Sequence, residues 1–133
     1  MSEQHPVEII LARGFMSNLM TAAFLVDPDG TLIFFNDAAG ELLGVRFEEA
    51  GPMPAAEWGT RFVPRDDSGE PIPVDELPLT VALSRRQPAH GRMRVRSPAG
   101  AERAIEVHAM PIVGSTGMSG ALAIFWETAG GDG

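Results

Sequence analysis

The chain has 133 residues, a length at which about two thirds of the unfolded surface is buried on folding, so one domain with one real core is expected. It has no cysteine, which excludes disulfides, thiolate metal sites, cysteine nucleophiles and cysteinyl-flavin photochemistry, and leaves side-chain burial to hold the fold. A net charge of −8, with ten arginines and no lysine, speaks against nucleic acid as a partner, and no apolar run approaches the roughly 20 residues of a membrane span.

The opening MSEQHPVEII lacks the basic start of a signal peptide, so a cytoplasmic location is the expectation. Residues 6–20 put Val7, Ile10, Leu11, Phe15 and Met16 near helical spacing behind a proline suited to a first turn, predicting an amphipathic helix. Gly14 weakens it by about 1 kcal/mol relative to alanine. Such a helix needs a surface to lie on, either its own domain or a second protomer.

Residues 22–36, AAFLVDPDGTLIFFN, are two apolar runs around Asp-Pro-Asp-Gly and predict a hairpin, since Pro28 presets φ and Gly30 supplies the positive φ of a tight turn. A helix of about two turns follows in NDAAGELLG, with Asn36 or Asp37 as N-cap, Leu42 and Leu43 on the buried side and Gly44 as C-cap; a further short turn is expected around FEEA. From Gly51 to Pro78, Pro52, Pro54, Pro64, Pro71, Pro73 and Pro78 leave a long wrapped loop, with Trp58, Phe62 and Val63 as anchors. Residues 74–87 read as a helix capped by Asp75, with Leu79, Val81, Ala82 and Leu83 apolar and Arg85 and Arg86 suited to its C-terminal dipole. Three strands complete the chain: GRMRVRS, ERAIEVHAMPIV and the continuously apolar GALAIFWE. This order is that of an α+β protein, an antiparallel sheet with helices gathered on one face.

The stretches FLVDPDGTLIFFNDAAGELLG, GEPIPVDELPLTVALSRRQP and VRSPAGAERAIEVHAMPIVGSTGMSGALAIF, taken together, resemble a PAS domain over about residues 21–127. The resemblance implies a five-stranded antiparallel sheet curled around a small hydrophobic cavity, short helices on one face and an N-terminal flanking helix. It implies a division into residues 1–20, a flanking or dimerisation helix; 21–127, the PAS domain; and 128–133, a flexible tail. The implied role is a bacterial-type regulatory sensor or interaction module in signal transduction, homodimeric, acting on a signalling partner or an effector domain.

The same resemblance makes the last strand central and covered on both faces, which fits its lack of alternation. Ala121, Ala123 and Phe125 then face the cavity, while Leu122, Ile124 and Trp126 face outward and are expected to pack against Leu11 and Phe15 of this or a second chain. The expected cavity lining is Phe24, Val26, Phe34, Leu43, Trp58, Leu79, Met93, Val107, Ala109 and Phe125, with Asn36 as a polar contact. Haem is disfavoured because residues 74–87 contain no histidine, and Phe125 stands where flavin-binding relatives place a glutamine. Noncovalent FAD and a small apolar ligand stay open as occupants, as does a filled core. Glu127, Thr128 and Ala129 stand where relatives carry an Asp-Ile-Thr-like triad, so output is expected laterally, through the sheet face.

No catalytic constellation converges. His5, His90 and His108 are the only histidines; His5 is expected to be disordered, and His90 and His108 read as surface or helix-packing side chains rather than a metal pair. Asp27 and Asp29 read as turn formers, RDDSGE as a solvated loop, and Arg92, Arg94 and Arg96 as charges that protect an edge strand. The alternative is a small single-domain α+β enzyme, which needs an acid/base pair in its pocket.

Overall fold

The computed structural model describes residues 7–43, 51–54, 57–58, 64–96, 102–114 and 117–128, with the side chains of Leu42 and Leu43 outside that set. Expectations for His5, Gly44, FEEA, Phe62, Val63 and residues 129–133 fall outside it.

Helix α1 (Val7–Ser17) leads into β1 (Ala22–Val26) and β2 (Leu32–Phe35), followed by α2 (Asp37–Leu43). A 3-10 turn (Val74–Glu76) precedes α3 (Pro78–Arg85), and β3 (Ala89–Arg96), β4 (Glu102–Gly114) and β5 (Gly117–Glu127) close the chain. The strands form one antiparallel five-stranded sheet in the order β2-β1-β5-β4-β3, with β5 at its centre.

The β1–β2 turn forms as its residue types require. Gly30 has φ 88°, and Asp27 Oδ1 accepts from the Asp29 and Thr31 N–H groups at 2.9 and 3.0 Å. Helix α3 starts later than the sequence suggests, and Asp75 does not cap it. Pro78 biases the residue before it toward extended backbone, and Leu77, at φ −70° and ψ 146°, is the N-cap, without a side-chain capping bond. Arg86 ends this helix in the left-handed region, at φ 55°.

Two apolar clusters lie on opposite faces of the sheet. The inner one combines Ala22, Phe24 and Val26 of β1, Phe35, Met93 and Val95, alternate residues of β4 and β5, and Trp58, Leu77, Leu79 and Ala82. The outer one joins Ile9 and Met16 of α1 to Ala23, Leu25 and Leu122. A central strand covered on both faces has no wet side, and β5 is buried without a break from Ser119 to Ala123. Gly120 lies against β1 at φ 148°, where a Cβ would run into the Val26 carbonyl oxygen.

Both sheet edges meet the proline-rich segment. Leu32 of β2 exchanges backbone hydrogen bonds with Met53 (2.6 and 3.0 Å), and Arg94 of β3 does so with Arg65 (2.8 and 2.9 Å). Trp58 fastens the same segment to the first hairpin, its Nε1 donating to the Gly30 carbonyl at 2.9 Å.

Candidate functional site

The inner cluster is incompletely filled. A cavity of about 60 Å³ lies between the sheet and its covering segments. Phe24, Met93, Val95, Ile105, Val107, Ala123 and Phe125 form its sheet side, and Trp58, Pro64, Leu77, Pro78 and Leu79 form the other. Ala123 is the one small side chain among these twelve, and it pairs across the ladder with Ala109, also on the inner face. Two alanines side by side at the centre of the sheet, beside the larger Phe24, Phe125 and Val107, leave a depression. Phe24 and Phe125 meet edge to face beside it, ring centroids 5.1 Å apart.

Of the residues expected at the cavity, Phe24, Trp58, Leu79, Met93, Val107 and Phe125 line it. Val26 and Ala109 belong to the inner cluster but do not reach the void, and the Leu43 side chain is outside the described residues.

Phe34 lies on the opposite face. It pairs with Leu25 in register and packs with the outer cluster, under the Arg13 guanidinium at 4.4 Å, while its neighbour Phe35 points inward against Phe24. A shift of one residue along a strand exchanges the faces.

Asn36 is also reassigned. Its Oδ1 accepts from Ala39 N (3.0 Å), capping α2, and from Ala23 N (3.1 Å), while Nδ2 donates to the carbonyls of Met16 (3.0 Å) and Thr21 (2.9 Å). With both lone pairs and both protons committed, this buried amide joins α1, β1 and α2 and has no capacity left for a ligand.

Val95 and Ile105 were missed although they extend the period-2 pattern of Met93 and Val107 by one step each. Pro64 and Leu77 come from irregular backbone and Pro78 from the first position of α3, where no periodicity points to a face.

On the outer face the expected partners are rearranged. Helix α1 sits on the sheet through Ile9, Ala12 and Met16, not through Leu11 and Phe15. Two polar contacts fix this orientation: the Ser119 hydroxyl donates to Glu8 Oε1 at 3.2 Å, and Asn36 Nδ2 reaches the Met16 carbonyl. Val7, Ile10, Leu11 and Phe15 therefore face away, each 58 to 67% exposed. Leu122 is buried beneath α1 of its own chain and Ile124 packs at that cluster's margin. Trp126, 41% exposed, borders a surface groove with Met20, Thr21, Glu41, Arg103 and Glu127. Arg103 Nη1 donates to Glu127 Oε2 at 2.8 Å, and the Thr128 N–H reaches the Ala104 carbonyl at 2.9 Å, so Thr128 is tied to β4.

His90 and His108 stand opposite each other across β3 and β4, ring centroids 6.4 Å apart, and His90 Nε2 lies 3.1 Å from Glu106 Oε1. Among the described residues no group of three His, Asp or Glu side chains is arranged to hold a metal ion. No helix among them is long and apolar enough to cross a membrane.

No curated protein matches the sequence. Among solved structures, the chain is similar to a PAS domain from Colwellia psychrerythraea at 22% identity and TM-score 0.63, covering 90% of this chain and 97% of that one. The PAS domain of nitrogen regulation protein NR(II) from Vibrio parahaemolyticus is similar at 16% identity and TM-score 0.63, covering 89% and 98%. A LOV protein of Rhodobacter sphaeroides is similar at 14% identity and TM-score 0.71, covering 94% of this chain and 70% of that one. The family described as the PAS fold matches residues 16–129. With sheet order, helix placement and family match in agreement, the chain belongs to the PAS fold family.

Proposed function

We propose that this chain is a homodimeric regulatory sensor module, with α1 as the protomer contact and the inner cavity as the ligand site. Membership of the PAS fold family supports a regulatory role, and one of the similar structures comes from a nitrogen regulation protein. The observation that carries the dimeric reading is the exposed stripe of Val7, Ile10, Leu11 and Phe15 on a helix whose opposite side is already anchored. Two copies at net charge −8 repel each other, so they associate most readily through uncharged surface, and this stripe is uncharged. Residues 1–20 then act as the flanking segment and 21–127 as the sensor, with Thr128 bound to β4 at its edge. Output leaves laterally, to a signalling partner or effector in the cytoplasm, from α1 and the Trp126 side of the sheet.

The cavity reading speaks against haem and flavin as resident groups. Helix α3 offers no histidine, and no described side chain of the lining turns a free polar atom inward. Molar mass by light scattering tests the dimer. Twice 14.2 kDa is expected for the parent and the single-chain mass for Leu11→Glu/Phe15→Glu. A monomeric parent at micromolar concentration, or a dimer unaffected by the double substitution, refutes it.

A further inference from the structure

Resting on the reading of the inner cavity as the ligand site, we infer that its occupant is a compact apolar molecule of a few heavy atoms with no hydrogen-bonding group. A dissolved apolar gas or a short hydrocarbon is of this class; a fatty acid, a substituted aromatic metabolite or a dinucleotide is not.

Chemistry sets the first bound. Every described lining residue is apolar, and the one polar side-chain atom among them, Trp58 Nε1, is already committed to the Gly30 carbonyl. The backbone groups of the floor are taken up in the β1–β5 and β4–β5 ladders. Among the described residues a carboxylate, amide or hydroxyl entering here finds no partner to replace the water it leaves, a loss that selects against it. A hydrocarbon or an apolar gas has no such group to desolvate.

Size sets the second bound. The void of about 60 Å³ is less than half the roughly 150 Å³ of an apolar cavity that takes benzene, and is of a size for a single xenon atom. Its floor is the methyl of Ala123, its side the Phe24–Phe125 pair, and its roof Leu77, Pro78 and Leu79. Two of the described walls are aromatic rings in an edge-to-face contact and one is a proline at a helix start, so the space among them suits a few heavy atoms rather than a tricyclic ring. For three or four heavy atoms the ceiling on affinity per atom gives a Kd no tighter than about 0.04 to 0.5 mM. Such a site follows the concentration of an abundant small solute and does not retain a cofactor.

Methionine-methyl NMR of the full chain, with xenon as the probe, tests this. Met93 lines the cavity, whereas Met16 and Met110 belong to the cluster on the other side of the sheet. Xenon is expected to shift the Met93 methyl saturably and to leave Met16 and Met110 in place. Ala123→Val is expected to reduce the Met93 response at least tenfold with the Met16 and Met110 signals unchanged. If Ala123→Val disturbs those signals, Val107→Ile, which adds one methylene on the same floor, is read in its place. FAD and decanoate are expected to leave Met93 unmoved. The inference is overturned by an unresponsive Met93, by a response that survives both substitutions, or by a Met93 shift with FAD or decanoate. A dimer without the xenon response refutes this inference alone; a monomer that keeps the response refutes the dimeric reading alone.

Discussion

Filling the void should stabilise the domain, and Ala123 is the position from which to fill it. A buried cavity costs about 24 cal/mol per Å³, so about 60 Å³ corresponds to about 1.4 kcal/mol. Valine adds two methyl groups at a site where β-branching suits the strand, and at about 0.8 kcal/mol per buried carbon the transfer gain reaches a similar figure. Some of this is lost to imperfect fit, leaving an expected gain near 1 kcal/mol for Ala123→Val. Urea unfolding at fixed protein concentration is the assay. The midpoint should rise with the slope unchanged, and Tm should rise by about 4 °C. Overpacking costs about 1 to 3 kcal/mol, so the two cases differ in sign. A loss of 1 kcal/mol or more would show that the side chain at 123 meets atoms rather than space.

Asn36→Ala removes the α2 cap and takes this partner from the Ala23 N–H and the Thr21 carbonyl, while the Met16 carbonyl keeps the Leu19 N–H; a loss of about 3 kcal/mol in urea unfolding is expected, and one below 1 kcal/mol would contradict the role given to this amide. Gly120→Ala drives a methyl into the Val26 carbonyl and should cost about 2 kcal/mol, whereas Gly14→Ala, on open α1 surface, should stabilise by about 0.5 to 1 kcal/mol. The Asp66 carboxyl is held below the ordinary aspartate value by the Ser68 hydroxyl and then by the Glu70 N–H. The depressed value means that the contribution of Asp66 to the 65–71 loop is present at neutral pH and is lost as pH falls through the folded value. An NMR titration should place its midpoint below that of an unstructured aspartate, and a midpoint at or above it would refute the assignment.

The first hairpin was legible in the sequence because its signal is local: Pro28 and Gly30 specify a turn. The central place of the last strand came through the resemblance to PAS domains, with which its continuous apolar run agrees. The face of Phe34 was not readable, since two adjacent phenylalanines satisfy either register and the pairing shifts between Leu25 and Val26. Helix α1 poses the same problem around its axis. It is apolar on one side through Ile9, Ala12 and Met16 and on another through Val7, Ile10, Leu11 and Phe15. Which side meets the sheet is decided by Glu8–Ser119 and Asn36–Met16, contacts separated by 111 and 20 residues in the chain. The cavity is less readable still. Its apolar walls are the residues a solid core needs, and a void depends on how volumes sum in space rather than on any pattern along the strands.

The two backbone bridges at Leu32–Met53 and Arg94–Arg65 have a consequence for assembly. An edge strand offers its N–H and C=O row to any neighbour, and a sheet open at both ends can be extended by copy after copy into a fibre. Here one covering segment interrupts that row at both ends, so lengthening the sheet from another chain is obstructed at each. A neighbour that approached along the sheet normal and paired through a single patch about a two-fold axis would close the assembly at two.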